Sequence, residues 1–203
     1  MHLEVLVEEP SVEEALKILI PKITGAEVSF SIHAHQGKPD LLAKLGSKLN
    51  AYKKWLPADH KILVLVDLDR EDCRELKGRL EEAAARAGFV TKTASGGRSV
   101  FQVLNRIAIE ELEAWFFGDV SAINQAYPRA RPQLGLTAKY RDPDAIKGGT
   151  WEALERELQR AGHHRGRLAK ITAARDIAGR MDPDSNRSRS FQVFRDGLRE
   201  LVG

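Results

Sequence analysis

A chain of 203 residues, 42% hydrophobic and 30% charged, has the composition of a globular protein able to bury a sizeable core. Disordered, collagen-like and disulfide-scaffold classes are excluded, since Cys73 as the one cysteine cannot pair within the chain and fits a reducing compartment. The net charge of +3 is unevenly spread: residues 1–119 carry 16 Lys and Arg against 19 Asp and Glu, residues 120–203 carry 16 against 10. That split suits an acidic half that holds cations and a basic half that holds phosphates, and suits two solvated surfaces equally well.

Residues 3–7 read as a strand that stops at Glu8-Glu9-Pro10-Ser11. Ser11 and Glu14 have capping-box spacing for a helix through Ile20. Residues 27–35 alternate apolar and polar side chains as a second strand, and a stripe of Leu41, Leu42, Leu45 and Leu49 predicts a helix from Asp40 to about Trp55. Residues 61–66 are continuously apolar, as in a parallel sheet buried on both faces, and end in Asp67-Leu68-Asp69. A charged, alanine-rich helix follows from about Glu71 to Ala87, with Gly88 as its C′ residue. Residues 89–93 and 100–109 are two further candidate strands, the second a fourth parallel strand ending near Ile109.

Beyond Asp119 helical stripes recur at residues 120–127, 150–161, 166–181 and 190–201, punctuated by Pro128, Pro132, Pro143 and Pro183. The expected architecture is an α/β domain, residues 1–119, with a mostly parallel sheet flanked by helices and an α-helical extension, residues 120–203, packed on it. No apolar run approaches the roughly 20 residues of a membrane-spanning helix, and the acidic opening Met1-His2-Leu3-Glu4 is unlike a signal peptide. A cytoplasmic protein is expected.

Ligands of open parallel sheets bind beyond the strand C-termini, where Glu8, Asp67 and Asp69 are expected to converge if their strands are neighbours. Crowded carboxylates repel and are costly to desolvate, so such a cluster commonly holds a divalent cation, and oxygen-only ligands favour magnesium or manganese. Glu110, Glu111 and Glu113 stand where the fourth strand passes into a helix, a place also suited to acids that complement a helix dipole. His33 and His35 share a strand face, and His163-His164 lies in a basic turn; neither pair is expected to ligate metal. Gly37-Lys38 lacks the glycine spacing of a phosphate loop, residues 95–99 read as a turn, and Cys73 among acids has no activating base. Trp115, Phe116, Trp151 and Phe191 read as core. Arg129, Arg131, Arg141 and Lys147 form a basic segment suited to a phosphate backbone, without the interleaved aromatics that stack bases.

Leu6-Val7-Glu8-Glu9-Pro10-Ser11 and Leu65-Val66-Asp67-Leu68-Asp69-Arg70-Glu71 resemble the two signature motifs of the Toprim domain of topoisomerases, primases and several nucleases, although Glu9 stands where that family usually has glycine. The whole chain is similar to bacterial proteins catalogued as domain of unknown function 4276, on segments including Gly37-Lys38-Pro39-Asp40-Leu41-Leu42, Ile109-Glu110-Glu111-Leu112-Glu113-Ala114-Trp115 and Gly148-Gly149-Thr150-Trp151. The Toprim resemblance implies a Rossmann-like core, Glu8 as metal ligand or general base, and Asp67, Asp69 and Glu71 as metal ligands. It also implies that Glu111 completes a two-metal site. The function expected is Mg2+- or Mn2+-dependent phosphodiester cleavage of nucleic acid, with Glu8, Asp67 and Asp69 catalytic. The alternative is a noncatalytic metal- or phosphate-binding partner of a separate ATPase in a bacterial defence system.

Overall fold

The computed structural model describes residues 1–97, 100–164 and 166–203. Arg98 and Ser99 of the expected turn at residues 95–99, and Arg165 of the basic histidine turn, lie outside the described residues. Four strands, β1 (His2–Val7), β2 (Ser29–Ala34), β3 (His60–Asp67) and β4 (Val103–Ala108), form one sheet in the order β2-β1-β3-β4 with every pair parallel. Helices α1 (Pro10–Thr24), α2 (Lys38–Trp55) and α3 (Cys73–Arg86) make the crossovers.

The unbroken hydrophobicity of β3 follows from burial on both faces. Leu63 and Leu65 enter the core beneath α1, while Ile62, Val64 and Val66 enter a second core beneath α2 and α3. From the central β1 the chain steps outward to β2 on one side, and β3 and β4 lie on the other. The switch in direction therefore falls between β1 and β3, which opens the crevice that α/β proteins use for ligands.

Helices α4 (Glu113–Gly118), α5 (Val120–Ala126), α6 (Thr150–Arg160), α7 (Lys170–Ala178) and α8 (Arg189–Val202) follow β4, with two short 3-10 turns at Leu134–Leu136 and Pro143–Ala145. Helix α7 lies on α1, and α8 lies on β4 and α1. Leu3, Leu16 and Leu63 share one apolar cluster with Leu154, Ile177 and Leu198, so the core continues across Asp119 without a break. Among the described residues no helix is long and apolar enough to cross a membrane.

Two local expectations are corrected. Helix α1 starts at Pro10 with Glu9 as N-cap, and the Ser11 hydroxyl donates to the Glu9 carboxylate instead of forming a capping box with Glu14. Proline at the first helical position supplies the right φ and needs no amide partner, so it sets the start. Residues 89–93 make only one bridge, Thr91 to Val103, because the Ala94 amide donates to Thr91 Oγ1 and the Ser95 amide to the Thr91 carbonyl, which turns the chain away.

Candidate functional site

Parallel pairing of β1 with β3, Val7 opposite Leu65, brings the two strand ends together. Glu8 Oε1 accepts from the Asp67 amide at 2.5 Å. Beyond the strands the connections stay paired: the Leu68 amide donates to Ala108 O and the Asp69 amide to Glu110 O, each at 2.8 Å. Asp69 and Glu110 both take left-handed backbone, with φ of 53° and 61°. Such residues cost about 1 kcal/mol or more each and collect where geometry matters to function.

Three carboxylates at this edge are nearly closed to solvent: Glu8 at 6% exposure, Asp67 at 7% and Glu113 at 3%. Burial pushes the Glu8 carboxyl up to about 7, against the pull of the Asp67 amide and Lys38. Burial, then the charges of Glu8 and Glu113, hold Asp67 well above the usual range. Burial also lifts Glu113 to about 7, with Lys170 opposing. Among the described residues none of the three has a basic side chain within ion-pairing distance; Lys170 Nζ stands 4.0 Å from Glu9 Oε1 at the margin of the group. Buried like charges without a counter-ion either bind protons or bind a cation.

The other arm of the acidic motif is neutralised from within. Lys38 Nζ lies 2.7 Å from Asp69 Oδ2 and 3.0 Å from Glu71 Oε1, and donates to Leu68 O at 3.1 Å. Glu71 also pairs with Arg79, and Lys38 is the main cause of its carboxyl lying below the usual range. Lys38 itself is buried, held at the first turn of α2 behind Gly37, whose φ of 87° suits glycine.

Glu111, the acid favoured to complete a two-metal site, has another partner: its Oε2 accepts from the Thr150 amide and hydroxyl, each at 2.8 Å, and from the Trp151 amide at 3.0 Å. It closes the N-terminus of α6, where free amides and the helix dipole favour an anion. Glu113, not Glu111, is the buried acid whose charge helps hold Asp67 up. A signal for this exists in the sequence, since Glu113 interrupts an otherwise apolar run from Leu112 to Phe117. Lys38 reads in the sequence only as part of Gly37-Lys38, which lacks phosphate-loop spacing, and Lys170 carries no signal because it reaches the edge through the packing of α7 on α1.

Lys170 Nζ sits 5.1 Å above the Trp151 ring, and the two line a cavity of about 370 Å³ with Arg167 and Leu168. Of the basic segment, Arg129, Arg141 and Lys147 are exposed, and Lys147 lies three residues before the Thr150 tie to Glu111. Arg131 Nη2 is paired with Glu157 at 2.7 Å. His33 pairs with Glu4, and Trp115, Phe116 and Phe191 are fully buried while Trp151 is half-buried.

Among the described residues no three His, Cys, Asp or Glu side chains are already gathered to hold a metal ion. The donors fit a hard cation of the magnesium type nonetheless, because that ion commonly takes one or two carboxylates and leaves its other positions to water and substrate oxygens. Glu8 and Asp67, adjacent and without an ion pair among the described residues, offer that set.

No curated protein and no solved structure is matched by the chain. Residues 7–199, from the end of β1 through most of α8, match the model of the family described as domain of unknown function (DUF4276), and the chain belongs to that family.

Proposed function

We propose that the protein is a Mg2+- or Mn2+-dependent phosphodiesterase acting on nucleic acid in the cytoplasm, with the ion held by Glu8 and Asp67. The observation that carries this reading is the juxtaposition of the buried Glu8 and Asp67 at the crevice between β1 and β3, with the buried Glu113 adding its charge to Asp67 and no ion pair to any of the three among the described residues. A bound divalent cation would supply Lewis acidity and charge neutralisation at a phosphate. Glu113, with its carboxyl near 7, is suited to accept the proton of an attacking water at neutral pH. Lys170 and Arg167 offer positive charge to a phosphate beside the carboxylates, and Trp151 offers a face to a base. Lys147, Arg141 and Arg129 would carry the flanking backbone, and Arg131, spent on Glu157, would add little.

A second reading is favoured by Lys38. By neutralising Asp69 and Glu71 it leaves donors for one ion where two-metal nucleases use two. This supports a noncatalytic metal- or phosphate-binding partner of a separate ATPase. Incubation of the purified protein with Mn2+ and end-labelled single- and double-stranded DNA and RNA separates the two. Cleavage by the wild type and none by Asp67→Asn supports the phosphodiesterase; Mn2+ binding without cleavage of any substrate supports the ATPase partner.

A further inference from the structure

A second cavity, of about 440 Å³, opens beside the outer edge of β4, between α3 and α8. It shares no residue with the carboxylate crevice. Ile107, Ile109 and Val193 give it apolar walls, and it is the right size for a small molecule. Two features of its lining are unusual for a surface groove.

The first is Arg106, 9% exposed. Its Nε donates to Val193 O at 3.1 Å and its Nη1 to Asn105 O at 3.0 Å, yet among the described residues no carboxylate lies within 4.0 Å of it. Glu200 and Glu81 act only from farther off, and Glu200 is paired with Lys92. The chain makes room for this guanidinium: a Cβ on Gly197 of α8 would fall 2.3 Å from Arg106 Nη2. Glycine weakens a helix interior, so the space is kept at the expense of the helix.

The second is Asn105, 1% exposed, whose Oδ1 has no hydrogen-bond partner among the described residues although its Nδ2 donates to Glu81 at 3.1 Å. Buried amide oxygens are ordinarily satisfied, so this closed-off orphan is a polar cost carried in the wall of the cavity. Arg189 adds positive charge to the rim, while Lys77, also in the lining, is paired with Glu81 at 2.8 Å and donates to Asn105 O. The one carboxylate there, Asp144, is fully engaged: it accepts from the hydroxyls of Ser188 and Ser190 and from the Ser190 amide.

An apolar chamber with a buried, uncompensated arginine asks for a ligand of matching form. We propose that this cavity binds a small organic acid, its apolar body against Ile107, Ile109 and Val193 and its anionic group on Arg106. Binding there stands independently of the phosphodiesterase reading.

The test uses 1-anilinonaphthalene-8-sulfonate, an apolar aromatic anion, as fluorescent probe, with decanoate and decanol as competitors. The wild type is expected to bind one probe per chain saturably, and decanoate to displace it while decanol at equal concentration does not. Val193→Trp, a change on the exposed side of α8 that fills the chamber and removes no charge, is expected to lower probe affinity at least tenfold. Arg106→Met is expected to do the same and to abolish the preference for decanoate over decanol. Mn2+ binding should be unchanged in Val193→Trp, which keeps this result separate from that at Glu8 and Asp67. No saturable binding to the wild type, unaltered affinity in Val193→Trp, or equal displacement by decanol would each overturn the proposal.

Discussion

Lys38 donates to the carbonyl of Leu68, the residue after Asp67, yet Lys38 and Asp67 obey opposite electrostatic logic. Lys38 is the buried member of its triad, at 7% side-chain exposure against 49% for Asp69 and 38% for Glu71. Removing the lysine leaves two half-exposed carboxylates that water can solvate, whereas removing both acids strands a buried ammonium. Lys38→Met is therefore expected to cost about 1 kcal/mol, and Asp69→Asn with Glu71→Gln about 2–4 kcal/mol. Urea midpoints at pH 7 decide the order; the reverse order would mean that water already reaches Lys38. At Asp67 there is no partner to lose and a repulsion to relieve. Asp67→Asn should raise the melting temperature in chelator at pH 8 and remove the Mn2+-induced shift seen in the wild type. A marked loss of stability in chelator would instead make the carboxylate a structural acceptor.

At the level of elements, local pattern and long-range demand agree in some places and conflict in others. The continuous apolar run of β3 was legible because both faces are buried, and Gly88 was legible as the C′ residue of α3 because its φ of 76° suits glycine. The start of α1 was not, because two start signals compete within five residues and Pro10 outweighs Ser11 and Glu14. Glu111 illustrates a further limit. An acid after a strand reads as a ligand, but the Thr150 and Trp151 amides that claim it belong to a helix 39 residues away. Glu111→Ala is thus expected to destabilise the protein by about 1–2 kcal/mol, the worth of an N-cap, in chelator and in Mn2+ alike. An isothermal titration with Mn2+ should give the wild-type affinity. Loss of that affinity with unchanged stability would return Glu111 to the metal site.

Across the whole molecule, the acidic crevice was legible because Glu8 and Asp67 end apolar strands, and apolar strands become neighbours at the centre of a parallel sheet. Its basic surroundings were not, since Lys170 arrives on α7, which the sequence places in the helical half and only the packing of α7 on α1 brings to the edge. The outcome is a global stability tied to protons and cations together. Glu8 and Glu113 titrate near 7 when folded against 4.5 in their ordinary state. Between those values these two groups hold more protons in the folded chain than in the unfolded one, so their contribution to stability is full below about pH 4.5 and is lost as pH rises to about 7. At about 1.4 kcal/mol per pK unit, the two groups together lose on the order of 7 kcal/mol across that window. A divalent cation competes with those protons. Mn2+ should stabilise strongly at pH 7.5, by about 2.7 kcal/mol at a hundredfold excess over its Kd, and hardly at all at pH 5. Calorimetric scans from pH 4.5 to 8, with chelator and with Mn2+, should therefore diverge as pH rises, and the divergence should shrink in Glu8→Gln. Parallel curves at every pH would mean that the buried carboxylates neither hold protons nor exchange them for a metal.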